Sequence, residues 1–438
     1  MIFLIAALIC LLLPLLSCSP QPKEHVTITY AAGNLPSDQQ ALVREVIVAF
    51  EKEFPLIHVE PKFEQFDGTV GAGRPGADVF AATADDLPTL NAREVIVDLT
   101  PMITIEKKLL DPFYPEVAAA SKLDNRQMMM PVRYSTDLLF YNQDLLLKIG
   151  RENRMAVNLQ DLDWEAIPKF AQPFVLKEGD RITRYALAPP RPLLLIQAWG
   201  ANPFAWNEVT LKNELTRKAL TYYDSLIREH HLAPGPDSPE WTVDAFQLFR
   251  EQKVVFFVGD GSLLAEADKI KDFKWDIAPA PKGPKRMQPG MPQPGSMTPP
   301  APVEVWPRYA RFSVSGNCVW VNSAYFSQAW QFARFCSTEP AQRIFAKVRA
   351  GVPGIKVVAE STEFLRQPPG HVDVLLSSRA FARQDNTHSL VFFDPFCQQA
   401  FGSTTEQLLR GKLNVDEALE EMNGIGTLLM EQSKAKKK

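Results

Sequence analysis

Beyond an apolar leader, the chain alternates short β-branched stretches with longer segments of helical spacing. His25-Val26-Thr27-Ile28-Thr29-Tyr30 alternates polar and apolar positions and runs into Ala31-Ala32-Gly33-Asn34, which predicts a strand ending in a loop. Pro36 and Ser37 then open a segment in which Leu42, Val43, Val46, Ile47, Phe50 and Phe54 share one helical face, with Pro55 as its stop. Further strands are predicted at Ile57 to Phe63 and at Ala77-Asp78-Val79-Phe80, and an amphipathic helix at Lys212 to His231. This β-α-β order argues an α/β fold with a parallel sheet covered by helices. Residues 279–307 break the pattern with ten prolines, a density that forbids helix and favours extended polyproline conformation. The simplest reading is a surface insertion; the functional one is a stiff flap presenting Trp306, Arg308 and Tyr309 to a ligand.

Residues 2 to 16, IFLIAALICLLLPLL, form an uncharged apolar run of signal-peptide length, shorter than the ~20 residues of a membrane span. Leu15-Leu16-Ser17-Cys18 follows, then a polar, proline-bearing stretch. This resembles a bacterial lipobox, which implies a signal peptide over 1–17, lipidation of Cys18 and an extracytoplasmic protein anchored to a membrane. An ordinary secretory signal with an incidental cysteine is the alternative.

With 438 residues, 46% hydrophobic and 22% charged, the chain suits a folded protein with two cores. Forty-seven Lys and Arg against 51 Asp and Glu leave a net charge of -4, with no basic excess to draw nucleic acid. Five cysteines without CxxC pairing argue against a disulfide scaffold or a zinc site. Cys318, Cys336 and Cys397 are expected as small buried side chains; Cys318 and Cys336 are the nearest pair should a bridge exist. No GxSxG, HExxH or GxxxxGK[ST] occurs, nor a GxGxxG after a strand, so no enzymatic activity, cofactor or metal is expected. His230 and His231 are adjacent and point to different faces of a helix end, where they complement the dipole. The Lys434 to Lys438 end reads as a solvated tail.

Several segments, in order, carry a family resemblance. Ala49-Phe50-Glu51-Lys52-Glu53-Phe54-Pro55 with Ile57-His58-Val59 is similar to the opening of bacterial extracellular solute-binding proteins of the sugar-binding type, family 1. So are Gly73 to Phe80 followed by Val97-Asp98-Leu99-Thr100-Pro101, Met130-Pro131 with Leu139 to Leu145, and Phe249 to Gly259. Ala329 to Ser337 and the stop Gly351-Val352-Pro353 complete the series. The resemblance implies a two-lobed periplasmic-binding-protein-like fold with a central ligand cleft and three hinge crossings, near Pro131, Gly259 and Gly351 to Gly354. Lobe I would hold 26–131 and 260–350, and lobe II 132–259 and 354–438. It further implies a monomer that binds a small molecule and docks on ABC permease subunits.

Sugar recognition uses flat rings against C–H faces and planar polar groups against hydroxyls. Trp199 and Trp206 lie in a Gly/Pro/Asn-rich loop and are the expected stacking platform, whereas Trp164, Trp275 and Trp330 are assigned to structure. Ligands of α/β sheets gather at the carboxyl ends of strands. The polar candidates there are Asn34, Thr83, Asp85, Arg133, Tyr134, Ser135, Asp260 and Ser262, with Trp306 from the flap. Asp85 matches a position at which some sugar-binding relatives use an acidic residue; Ala82 stands where they often carry an aromatic. Asp78 reads as a structural cap. The leading reading is thus a lipid-anchored substrate-binding subunit of an ABC importer for a saccharide or related polyol. An envelope-anchored carbohydrate-active enzyme and a binding lipoprotein feeding a sensor are its rivals.

Overall fold

The computed structural model describes residues 25–66, 76–205, 208–288, 303–383 and 396–435. Cys18, Trp206 and the centre of the Pro-rich stretch lie outside these residues.

The N-terminal third forms β1 (Val26–Ala31), α1 (Ser37–Glu53), β2 (Ile57–Lys62) and β3 (Val79–Thr83), with β1 parallel to both other strands. Helix α1 buries Val43, Val46, Ile47 and Phe50, the face its spacing defines, and the Phe54 N–H closes it on the Phe50 carbonyl. A short α2 (Leu87–Ala92) follows β3. Farther along the chain, among other short elements, lie the long β4 (Met130–Asn142), β5 (Leu176–Glu178), β6 (Arg181–Leu187), α3 (Pro192–Ala198), α4 (Glu214–Asp224), β7 (Val254–Asp260) and β8 (Trp275–Pro279). Strands β9 (Arg286–Gln288) and β10 (Val303–Val305) precede β11 (Ala310–Val319), α5 (Phe326–Cys336), α6 (Glu339–Phe345), β12 (Val352–Pro353) and β13 (Ala382–Arg383). The chain ends on α7 (Val415–Ala435). Among the described residues no helix is long and apolar enough to cross a membrane.

Eleven strands of the described residues join in one sheet of order β2-β1-β3-β11-β4-β7-β6-β5, with β8 and β12 beside β4 and β13 beside β11. The parallel pairing expected from the β-α-β opening holds for β1, β2 and β3, while the sheet as a whole is mixed: β11 runs antiparallel to β3 and β4, and β7 and β8 antiparallel to β4. Local periodicity reports that a segment is a strand; the direction of its neighbour is set by connections far away in sequence.

Strand β4 joins the two halves of the sheet. Its first part, to Thr136, pairs with β11, and its second, from Asp137, pairs with β7 and β8. Near Gly259, where a crossing between lobes is expected, the strand pairing is continuous. Gly259 pairs with Leu138 inside β7, β8 stays beside the same half of β4, and β11 is the strand that runs on to pair with β3. At Gly316 the β11 backbone comes so close to Met130 and Pro131 that a Cβ would collide with the Met130 carbonyl, and the register shifts by a bulge at Ser315/Gly316.

Three apolar clusters follow from this sheet. Ile28, Val46, Phe50, Met130, Val319, Trp330 and Phe332 pack at one end. Leu139, Tyr141, Trp164, Leu195, Leu220, Phe256 and Met422 pack at the other. Tyr134, Leu138, Phe140, Phe257, Ile277, Phe312 and Val314 form the third, contributed by both halves. Leu138 and Phe140 belong to a different cluster from Leu139 and Tyr141 because successive strand side chains point to opposite faces.

The Pro-rich stretch is strand at both described ends: β9 and β10 pair antiparallel, Arg286 opposite Val305 and Gln288 opposite Val303. At these described ends the polyproline reading is corrected, since backbone pairing satisfies amides that polyproline would leave to water.

Candidate functional site

The alternation of β4 and β11 builds a polar stripe at the point where the halves of the sheet meet. On β4, Arg133, Ser135 and Asp137 alternate with Tyr134, Thr136 and Leu138; on β11, Arg311, Ser313 and Ser315 alternate with Ala310, Phe312 and Val314. The register sets Ser313 beside Ser135 and Ser315 beside Arg133, while Tyr134, Leu138, Phe312 and Val314 enter the shared core. Polar side chains of adjacent strands therefore share one face.

Neighbouring elements complete the stripe. Asp260, at the end of β7 and paired with Asp137, accepts from Ser135 Oγ at 2.7 Å and from the Ser262 N–H at 2.8 Å. Asp85, from the loop after β3, forms an ion pair with Arg311. Asp137 is 1% exposed and accepts from Arg191 Nη2 at 2.6 Å and from the Arg311 N–H at 3.1 Å. Burial raises the Asp137 carboxyl, with Asp260 adding to the rise and Arg191 opposing it. Arg191 is placed by its flanks: it follows β6, and Pro192 starts α3, which holds Arg191 extended.

Asp137, Arg191 and Arg311 form the polar end of a cavity of about 260 Å³ whose walls include Leu193, Leu194, Tyr309 and Phe401, with Gln197 and Cys397 beside them. Carboxylates there accept from hydroxyls, guanidinium groups donate to them, and the aromatic and aliphatic walls cover C–H surface. A second cavity, toward α1, is lined by Tyr30, Gln39, Arg133, Ser315 and Asn317; Tyr30 donates its hydroxyl to Asn317 Oδ1 at 3.0 Å, and Arg133 Nε donates to Ser315 Oγ at 3.3 Å.

Of the residues singled out from sequence, Asp85, Arg133, Ser135 and Asp260 share the stripe, and Asp260 caps the turn that follows by accepting from the Ser262 N–H. Thr83 spends its N–H and hydroxyl on Asp86 Oδ2, at 2.8 and 2.7 Å. Asn34 is exposed, beside Ala32 and Leu35 of the second cavity. Trp306 is 45% exposed and stands under Lys285, whose Nζ lies 5.3 Å from the ring centroid; its neighbour Tyr309 is the one that reaches the first cavity.

Two expectations are corrected. Tyr134 is 1% exposed on the opposite face of β4 from Arg133 and Ser135, against the rings of Tyr114 and Phe312; three consecutive strand residues cannot share a face. Trp199 is 7% exposed and packs on Tyr222, ring centroids 4.7 Å apart, because it ends α3 on that helix's buried side. Trp164, Trp275 and Trp330 are buried, as expected. Asp78 accepts from the Thr29 N–H and Ser323 Oγ, the structural role read for it. Sequence reasoning missed Asp137, Arg191, Arg311 and Phe401. The signal for the first three was available: Arg311 and Asp137 interrupt apolar strands in register with other polar positions, and Arg191 follows the carboxyl end of β6.

A mixed sheet joined through two long strands, with a polar stripe and a walled cavity at the junction, is the arrangement of the periplasmic-binding-protein fold. The chain belongs to the bacterial extracellular solute-binding protein family, whose model matches residues 60–369. That family comprises binding proteins rather than enzymes. YcjN of Escherichia coli K12, named for periplasmic binding in an ABC transporter, is 25% identical over 248 residues, 52% of this chain and 55% of YcjN. The chain thus spans about half the length of that relative. Among solved structures, the substrate-binding protein Lmo0181 of Listeria monocytogenes, in complex with cycloalternan, superposes with a TM-score of 0.74 at 20% identity, covering 92% of this chain and 99% of that one. UgpB of Mycobacterium tuberculosis, in complex with glycerophosphocholine, gives 0.71 at 16% identity, covering 93% and 98%. A maltose-bound MalE3 of T. maritima gives 0.70 at 17% identity, covering 92% and 100%.

Proposed function

We propose that this protein is the substrate-binding component of an ABC importer, held at the outer face of a membrane by a lipid on Cys18, and that it captures a saccharide or related polyol. The observation that carries the reading is the cavity at the sheet junction, where Asp137, Arg191 and Arg311 face walls of Leu193, Tyr309 and Phe401. Such a set meets hydroxyls and ring C–H surface together. The solutes named for the similar structures, cycloalternan and maltose, support it from outside this chain.

Binding then works as a population shift. Asp85 reaches the stripe from the first half of the sheet and Arg191 from the second, while β4 and β11 run between them. A ligand that touches both halves favours the conformation in which they close on it, and a membrane partner reads that shape.

Thermal-shift measurement over sugars, polyols and glycerol phosphodiesters tests the reading. A ligand specific to the folded state adds about 2.7 kcal/mol at a hundredfold excess over its dissociation constant, a readily seen rise in melting temperature. A screen in which only the phosphodiesters shift the melting temperature would replace the saccharide, and one in which nothing does would remove the proposal.

A further inference from the structure

We infer that Asp137 makes this cavity select by charge, admitting uncharged polyhydroxy ligands and rejecting sugar acids and sugar phosphates of the same carbon skeleton. The inference deepens the function proposed above and rests on it.

The carboxylates of the stripe already have donors. Asp85 is paired with Arg311, Asp137 takes Arg191 Nη2 and the Arg311 N–H, and Asp260 takes Ser135 Oγ and the Ser262 N–H. Three guanidinium groups, Arg133, Arg191 and Arg311, stand near these three carboxylates, so the stripe presents no excess positive charge. An anion that enters the cavity toward Arg191 or Arg311 comes up against Asp137, which lines it, is 1% exposed and cannot withdraw its charge into water. Repulsion between like charges is strong where solvent is excluded, and separating Asp137 from Arg191 to relieve it leaves a buried carboxylate unpaired.

A hydroxyl meets no such obstacle. An ionised carboxylate offers roughly four acceptor sites, of which two on Asp137 are occupied by Arg191 and Arg311. The buried Nε of Arg311 has no partner among the described residues, and Arg191, with 48% of its side chain exposed, has N–H groups beyond the one given to Asp137. A hydroxyl can donate to the carboxylate and accept from a guanidinium at once. An ionised carboxylate or phosphate group can only accept, so it uses the arginines and leaves the Asp137 acceptors unmet.

The test is titration of the whole mature protein with matched pairs: glucose against glucuronate and glucose 6-phosphate, galactose against galacturonate, and maltose against maltobionate. In each pair that binds, the neutral member is expected to bind at least about tenfold tighter. Asp137→Asn should narrow or reverse that ratio, and Arg191→Gln, a change at a half-exposed side chain, should widen it by leaving Asp137 less compensated. The ratio is the readout because a change that merely loosens the fold weakens both members alike. Equal or tighter binding of the acids by the wild type, or a ratio that neither variant moves, overturns the inference and leaves the saccharide reading standing. Should Asp137→Asn not fold, the wild-type ratio and Arg191→Gln decide. Binding of none of the sugars or acids overturns the inference together with the reading beneath it.

Discussion

The guanidinium group of Arg286 occupies the place where a side chain on Gly200 would begin. Gly200 also has φ +90°, a backbone conformation that glycine adopts freely and other residues rarely do. The contact pins β9 to the end of α3, and Gly283, whose N–H donates to the Pro307 carbonyl, brings the β9–β10 ribbon back toward Tyr309. The Pro-rich excursion is thus anchored at its base next to the first cavity. Gly200→Ala should destabilise the protein by about 1–3 kcal/mol, because alanine is strained at φ +90°, while the flexible end of Arg286 can shift aside. Urea denaturation checks this; an unchanged midpoint would mean that the backbone at this position tolerates a side chain without strain.

Trp199→Ala tests the placement of Trp199 in the second core against its role as a ligand platform. Removing a ring that is 7% exposed and stacked on Tyr222 should cost about 3–5 kcal/mol of stability. An exposed platform residue would instead lower ligand affinity and leave the melting temperature near that of the wild type.

Thiol labelling distinguishes the three cysteines of the described residues. Cys318 and Cys336 are buried, and burial raises both thiols well above their ordinary value, so thiolate is scarce and access is closed. Cys397 is partly exposed and lines the first cavity. Alkylation of the native protein followed by peptide mass mapping should modify Cys397 first, and a saturating ligand should slow it. Labelling of Cys397 at the same rate with and without a bound sugar would place the ligand elsewhere.

Alkaline unfolding should be steep. Burial pushes the Tyr134 phenol up to about 12, and it also raises Tyr30, Tyr141 and Tyr223. Their unfolded value is about 10, so above that pH the native state holds more protons than the unfolded one. The stability these groups contribute is complete below about pH 10 and is lost as pH rises through the folded values. Tyrosinate absorbance should therefore appear together with loss of circular dichroism; an early, gradual rise without unfolding would contradict their burial.

Cys18→Ser should shift the protein from the membrane fraction to the soluble fraction, or leave it unprocessed. A diacylglycerol on the Cys18 thiol would supply two acyl chains, where one chain alone would hold only weakly. Equal soluble recovery of both forms would remove the lipid anchor from the proposal.

The sequence by itself determined what depends on near neighbours. The strand Val26–Ala31 and the helix Ser37–Glu53 follow from period and from the stop at Pro55, and Asp78 was readable as a cap because a short acidic side chain beside a turn is drawn to backbone N–H groups. Period alone also determined that Tyr134 opposes Arg133 and Ser135, although the residue types suggested a shared site. Tertiary structure decided the rest. Arg191 and Asp137 lie 54 residues apart, and Asp85 and Arg311 lie 226 apart; no local signal encodes which distant loops return to one spot. Trp199 sits in a Gly/Pro-rich run that suggests exposure, yet its burial depends on Tyr222 of α4 arriving against it. The site belongs to this second category because it forms where β4 passes from β11 to β7, and long-range strand pairing, with the burial it brings, fixes that point.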